Sequence, residues 1–388
     1  MLIRRCEIVL FQPREDISFE MASLLAGGDG LVRSLSWIAI APHLEEEAVV
    51  TIDELVLLGK LGPDTWVDRR SIEVEDLGII DRLLDIGLLV SKNKRYKFNN
   101  DRDEKVRSNF WWPFAAVMQK AGRWKGVNSV ADMETSQTVT VEQMRHQLGP
   151  PPTETLVFKS KKDRVFLEKF KPTKFDAMLE SRVTCRNFAD DREVSYEIFC
   201  RMLQRVVMAT AEVEVCSDTI FLKKNVPSAG GLHPIDIYIA VRNVDGIEAG
   251  LYYYHPSEHA LYYLQPQLPS LDKSMLEFLS GQHWLANAAV HVILVARYAR
   301  CFWKYKYHKK AYRALILDAG HISQGLYNSA TEMKLGAYVT SAINEADIES
   351  ALCLDPLMQG PLAICGFGWR AEEATTTEFD PNNRIWAS

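Results

Sequence analysis

Residues 288–296 read AAVHVILVA, an apolar run broken only by His291. A near-continuous run of that length, rich in aliphatic and β-branched residues, is a strand without a solvated face, and so belongs in a sheet covered on both sides. The segments around it supply such a sheet. Ile235, Ile237, Ile239 and Val241 alternate with Asp236, Tyr238 and Ala240, the pattern of a strand with one buried face. Residues 250–254 and 260–264 read as two strands around His255-Pro256-Ser257-Glu258, and 362–366 as a last strand. Leu315, Ala319, Ile322, Leu326, Ala330 and Met333 recur at spacings of three and four, the face of a long helix ending at Gly336. Residues 193–210 are a further helix candidate. Helix, strands, long helix and strand in this order predict a layered α+β domain.

At 388 residues the chain is too long for one small domain. Residues 1–104 read as a small domain of helices followed by a hairpin. Residues 31–44 hold an apolar helix candidate. Thr51-Ile52-Asp53-Glu54 is a capping-box start for a helix reaching Lys60, before Gly62-Pro63. A third helix over 74–86 carries Leu77, Ile80 and Leu84 on one face and stops at Gly87. Residues 88–91 and 95–98 then read as two strands around Lys92-Asn93-Lys94, a winged-helix-like arrangement. Residues 105–170 form a bridge: the apolar stretch 110–118 predicts a helix, Gly149-Pro150-Pro151-Pro152 a break, and the lysine-rich 159–174 an exposed approach. The α+β domain then occupies 171–388.

Bulk properties narrow the function. Residues 1–100 hold 12 Lys and Arg against 17 Asp and Glu, and the whole chain has a net charge of −6. A winged helix with that balance does not suit phosphate backbones, and a structural or peptide-docking role fits better, since an exposed strand edge can pair with an extended peptide. No apolar run reaches the roughly 20 residues of a membrane span, and the N-terminus lacks a signal-peptide pattern. Seven scattered cysteines without a C-x-x-C give no zinc signature and suit a reducing cytoplasm.

Three segments carry chemistry. Arg182, Thr184 and Arg186 alternate, so an extended backbone puts two guanidiniums and a hydroxyl on one side, a set that can hold a phosphate or simply meet solvent. Pro227-Ser228-Ala229-Gly230-Gly231 lets a backbone approach a flat ligand, or turns the chain into the next strand. Lys306-Tyr307 places an ammonium beside a phenol, whose ordinary pKa is about 10; the charge favours the phenolate and so a base near neutral pH. Lys306 also reads as a surface lysine, and Tyr305 is the alternative base. His233 reads as a pocket-shaping residue, His321 as a packed, hydrogen-bonded histidine and Asp318 as structural.

Together the segments resemble the nitroreductase-like flavoprotein superfamily and, more closely, its SagB-type branch, the azoline dehydrogenases of ribosomal peptide maturation. The resemblance rests on R-x-[ST]-x-R-x-F (Arg182, Thr184, Arg186, Phe188), on P-S-A-G-G-L-x-P (Pro227 to Pro234), on Gly250 to Pro256, and on K-Y-x-x-x-A-Y-R-x-x-x-x-D-A-G-H (Lys306 to His321). It implies FMN, with Arg182 and Thr184 at the phosphate and ribityl end and Arg186 near the pyrimidine edge. Pro227, Ser228, Ala229, Gly230 and Gly231 would line the ring, with Arg370 as a second phosphate partner. It implies a homodimer, a precursor-peptide substrate and a cyclodehydratase partner. The implied reaction oxidises a thiazoline or oxazoline: Tyr307, assisted by Lys306, removes the proton alpha to the carbonyl, and hydride passes to flavin N5. The alternatives are an NAD(P)H-dependent reductase on the same scaffold, and an inactive peptide-docking scaffold.

Overall fold

The computed structural model describes residues 1–72, 77–156, 164–265 and 268–386. It divides into two compact units. The first comprises 1–123, 297–313 and 355–359; the second comprises 124–296, 314–354 and 360–388. The sequence-based boundaries at 104 and 170 differ from these: helix Pro113–Ala121, begun by Pro113 at its first turn, falls in the first unit, and Ser129–Thr135 and Val141–Leu148 in the second. The break at Gly149 is present, with φ 79° after the last turn. Residues 159–163 of the lysine-rich stretch lie outside the described residues.

The second unit is built on a six-stranded sheet. Its order is Ala260–Tyr263, Gly250–His255, Ile235–Val241, Val290–Arg297, Gln359–Gly368 and Gly336–Thr340. Val290–Arg297 sits inside the sheet, and its first seven residues are buried, as its composition requires. It pairs antiparallel with Ile235–Val241 in unbroken register from Val290↔Val241 to Ala296↔Ile235. The long helix is Ala311–Glu332, with Leu315, Ala319, Ile322, Leu326 and Ala330 buried on one face. Tyr196–Val206 forms the predicted shorter helix, capped by Ser195. A hairpin of Ala209–Cys216 and Thr219–Lys224 was not predicted; Ala209–Cys216 is exposed along nearly its whole length, with Val213 and Val215 facing solvent.

Gly336 opens the strand that receives the Arg182–Arg186 segment. A Cβ there would stand 2.5 Å from Cys185 Sγ and 2.7 Å from its Cβ, and Cys185 is fully buried. Gly336→Ala is therefore expected to lose about 1–3 kcal/mol of stability by overpacking, read as a lower urea midpoint with unchanged slope.

The first unit departs further from expectation. Residues 31–44 are not a helix: Leu31–Ile40 is a strand, paired residue for residue with Leu10–Phe19 and then with Ala48–Val50. Cross-strand partners distant in sequence outweigh the local apolar count. Pro13 is tolerated because Leu10–Phe19 lies at the sheet edge. The capping box is present, with Thr51 Oγ1 accepting from Glu54 N at 3.2 Å and Glu54 Oε2 from Thr51 N at 2.8 Å. The next helix is Leu77–Ile86; residues 74–76 of the expected helix lie outside the described residues.

The predicted wing does not form. Leu89–Val90 is a strand, but it pairs with Leu2–Arg5, which lies between it and Val67–Asp68. Residues 95–98 are helical, in a turn Lys94–Tyr96 that runs into helix Lys97–Ser108. Asn93 starts that turn by accepting from Arg95 N at 3.1 Å. The helix turns Asp103 inward, where it pairs with the buried Arg4 at 3.2 Å and accepts from Glu7 N at 2.6 Å. Four residues of alternation were too few to reveal the 3.6 period that begins there. Among the described residues no helix is long and apolar enough to cross a membrane.

Candidate active site

The segment holding Arg182, Thr184 and Arg186 is extended and stitched at both ends. Thr184 bridges to Ala337, Phe188 to Arg370, and Cys185 N donates to Ala337 O at 2.9 Å. Val183, Cys185 and Asn187 are buried, whereas Arg182 is exposed and Thr184 and Arg186 are half-buried. The alternation read from sequence thus holds: the two arginines and the threonine share the outer side. The Arg182 guanidinium lies 5.4 Å from the centre of the Tyr327 ring, and Tyr327 Oη lies 3.0 Å from Thr184 Oγ1. Burial raises the Tyr327 pKa against the opposing pull of Thr184 and Arg182, so the phenol stays protonated.

Glu378, which sequence reading missed, braces this segment from behind. Its side chain is shielded from solvent and accepts from Arg186 N at 2.6 Å, Asn187 N at 3.1 Å, Asn187 Nδ2 at 2.9 Å and Trp386 Nε1 at 3.0 Å. It also pairs with Arg370 Nη1 at 2.6 Å, while Arg370 Nη2 donates to Val183 O at 2.6 Å. The expectation of Arg370 as a phosphate partner meets a fork already engaged with protein. Burial pushes the Glu378 pKa up, but the donors and Arg370 outweigh it and leave the carboxyl below its usual range.

Glu378→Gln leaves Arg370 without its counter-charge, and about 3–5 kcal/mol of stability is expected to go with it. Because the folded pKa is depressed, this stability is present above the unfolded value of about 4.3 and is lost as pH falls through the folded value. Denaturant titrations at neutral pH and in acid should show the gap between wild type and variant closing in acid.

The second segment is a tight turn. Residues Ala229–Gly231 form a single 3-10 turn in which Gly230 and Gly231 have φ of 64° and 69°, conformations that favour glycine. Ser228 Oγ donates to Asp318 Oδ2 at 2.5 Å and accepts from His233 N at 2.9 Å. Ala229 N donates to Asp318 Oδ1 at 3.0 Å, and His321 Nδ1 lies 3.2 Å from Pro227 O. Burial raises the Asp318 pKa, opposed by Ser228, Ala229 N and His321. Asp318 and His321, three apart on one helix face, clamp the loop, a hydrogen-bonded structural role as expected. That i,i+3 spacing was the available signal.

Lys306 and Tyr307 belong to the first unit. Tyr307 has φ 53° and is 52% exposed; its N donates to Phe110 O at 2.8 Å. Phe110 is itself left-handed at φ 54°. The Tyr307 ring meets Phe110 edge-on at 5.6 Å, and Lys306 Nζ stands 4.2 Å from the Phe110 ring centre. Phe110 therefore organises both residues, a role the apolar stretch 110–118 did not disclose.

Comparison with known proteins decides the family. Residues 179–369 match the nitroreductase family. This part of the chain is a nitroreductase-family domain. The chain is 29% identical over 149 residues to a Methanocaldococcus jannaschii protein named as a nitroreductase, a match covering 38% of this chain and 72% of that one. It is 29% identical over 176 residues to the trifolitoxin-processing protein TfxB of Rhizobium leguminosarum bv. trifolii, covering 44% of this chain but only 46% of TfxB. In structure it resembles a chain of the E. coli microcin synthetase McbBCD complex with truncated pro-MccB17 bound, at a TM-score of 0.50 and 17% identity, over 69% of this chain and 94% of that one. The nitroreductase match contains Arg182, Thr184, Arg186, the Pro227–Gly231 turn and Lys306-Tyr307, and stops one residue short of Arg370. An oxidoreductase scaffold follows from the family.

Proposed function

We propose that the chain is an FMN-dependent dehydrogenase of peptide maturation, oxidising a peptide-bound thiazoline or oxazoline or a related Cα–Cβ bond. The observation that carries the reading is the outward face of the braced segment, where Arg182, Thr184 and Arg186 stand together. A guanidinium beside a hydroxyl suits a phosphate monoester, with the second guanidinium free for the ring edge, and the small residues of the glycine turn let a flat ring approach. In this reading Arg182 and Thr184 hold the phosphate and ribityl end, Arg186 the pyrimidine edge, and residues 227–231 the ring. Arg370 acts by holding Val183 and Glu378 rather than the ligand. The likeness to a trifolitoxin-processing protein supports a precursor peptide as substrate. Azolines arise by loss of water from Cys or Ser side chains, so a cyclodehydratase must supply them. We place two copies of the chain in the working enzyme.

Bound FMN supplies the acceptor for the hydride leaving the carbon next to Cα. The proton from Cα goes to Tyr307, so one proton and one hydride leave and a C=C bond forms. Tyr307 suits the role of base in that it is 52% exposed while Phe110 fixes its backbone and ring. The reading is tested by incubating the FMN-loaded protein with a thiazoline-containing peptide and weighing the product. Loss of two hydrogens without added nicotinamide supports it. An untouched peptide, with NADH consumed on a nitroaromatic or dehydroalanine substrate, favours the reductase instead. Inactivity in both assays leaves the docking scaffold.

A further inference from the structure

Lys224 is a buried cation that the proposed chemistry does not use. It ends strand Thr219–Lys224, three residues before Pro227. Lys223 beside it is exposed, but Lys224 is only 5% exposed. It lines a small cavity with Pro227, Ser228 and Asp318 on the loop side and Val206 and Ile322 on the apolar side. Burial pulls its pKa down to about 8, with Asp236 opposing. Among the described residues no ion pair neutralises it. Lysines are almost never buried without a partner, and an aliphatic side chain would fill this position at less desolvation cost.

What the fold does not need for packing, the loop can use. Behind the turn, in low dielectric, a positive charge acts over longer distances than at the surface. A flavin ring gains negative charge when it takes up electrons. On the FMN reading above, on which this rests, we infer that Lys224 is a positioning residue whose ammonium, acting through the Pro227–Gly231 turn, favours the reduced, more negative state of the ring. The phosphate and ribityl end is served by Arg182 and Thr184 and the pyrimidine edge by Arg186, all on a different segment, and Lys224 acts on the ring from the side of the turn.

The test compares the full-length, FMN-loaded wild type with Lys224→Met and Lys224→Arg, measuring the midpoint potential by equilibration with a reference dye. Lys224→Met should hold reduced relative to oxidised FMN about tenfold less tightly, a midpoint about 30 mV more negative for a two-electron couple. Lys224→Arg, which keeps the charge, should stay near wild type. Flavin-free Lys224→Met should melt at or above the wild type, because an unpaired buried charge has been removed. If Lys224→Met does not fold, which itself contradicts this melting expectation, Lys224→Gln gives the same comparison of potentials. An unchanged potential with FMN bound overturns the inference alone. So does equal weakening of both redox states, which marks a phosphate contact, or equal loss of melting temperature in Met and Arg variants, which marks a structural lysine. A wild type that takes up no FMN overturns the functional reading, and the inference with it.

Discussion

Tyr307→Phe should keep its FMN and lose turnover by about 10²–10⁴-fold, the usual contribution of a positioned general base. Phenylalanine removes only the hydroxyl. The backbone bond from residue 307 N to Phe110 O and the edge-on ring contact involve atoms that the substitution leaves in place. The left-handed backbone is equally strained for either aromatic residue, so stability should change little. The loss should appear in kcat and kcat/KM alike, as for an interaction made in the transition state. A variant with normal turnover would remove Tyr307 as the base and turn attention to Tyr305, whose ring lies 5.7 Å from Lys304 Nζ.

Arg182→Ala should act at the other end of the chemistry, weakening FMN binding roughly 10- to 150-fold, as expected for one charge-assisted contact to a phosphate. Arg182 is exposed and its side chain rests on the face of Tyr327, so the fold should survive its removal. Arg182→Lys keeps the charge without the rigid fork and should fall between. Fluorescence titration of flavin-free protein reads both. An Ala variant with wild-type affinity would show that the outward arginine face does not hold the phosphate.

How much of this was legible in the sequence varies with the range of the determining contacts. The run 288–296 and the alternation 235–241 declared their burial because a strand's composition reports its own two faces. Arg182, Thr184 and Arg186 share a side because alternation is a local property. Residues 31–40 were misread because their strand is fixed by Leu10–Phe19 and Ala48–Val50, partners that no local window contains. The missing wing at 95–98 has the same origin: Asp103 must reach Arg4, nearly a hundred residues away. Glu378 and Phe110 were invisible for that reason too. Each belongs to an unremarkable stretch and matters only through what it touches. The clamp of Asp318 and His321 on the loop was half legible, in spacing but not in target.

The most direct test is the visible spectrum of the purified protein, with any released cofactor identified by mass. A flavin absorption accounted for by FMN at about one molecule per chain is the expected result. A colourless protein that takes up no FMN from excess would contradict the assignment of Arg182, Thr184, Arg186 and the Pro227–Gly231 turn as a flavin site.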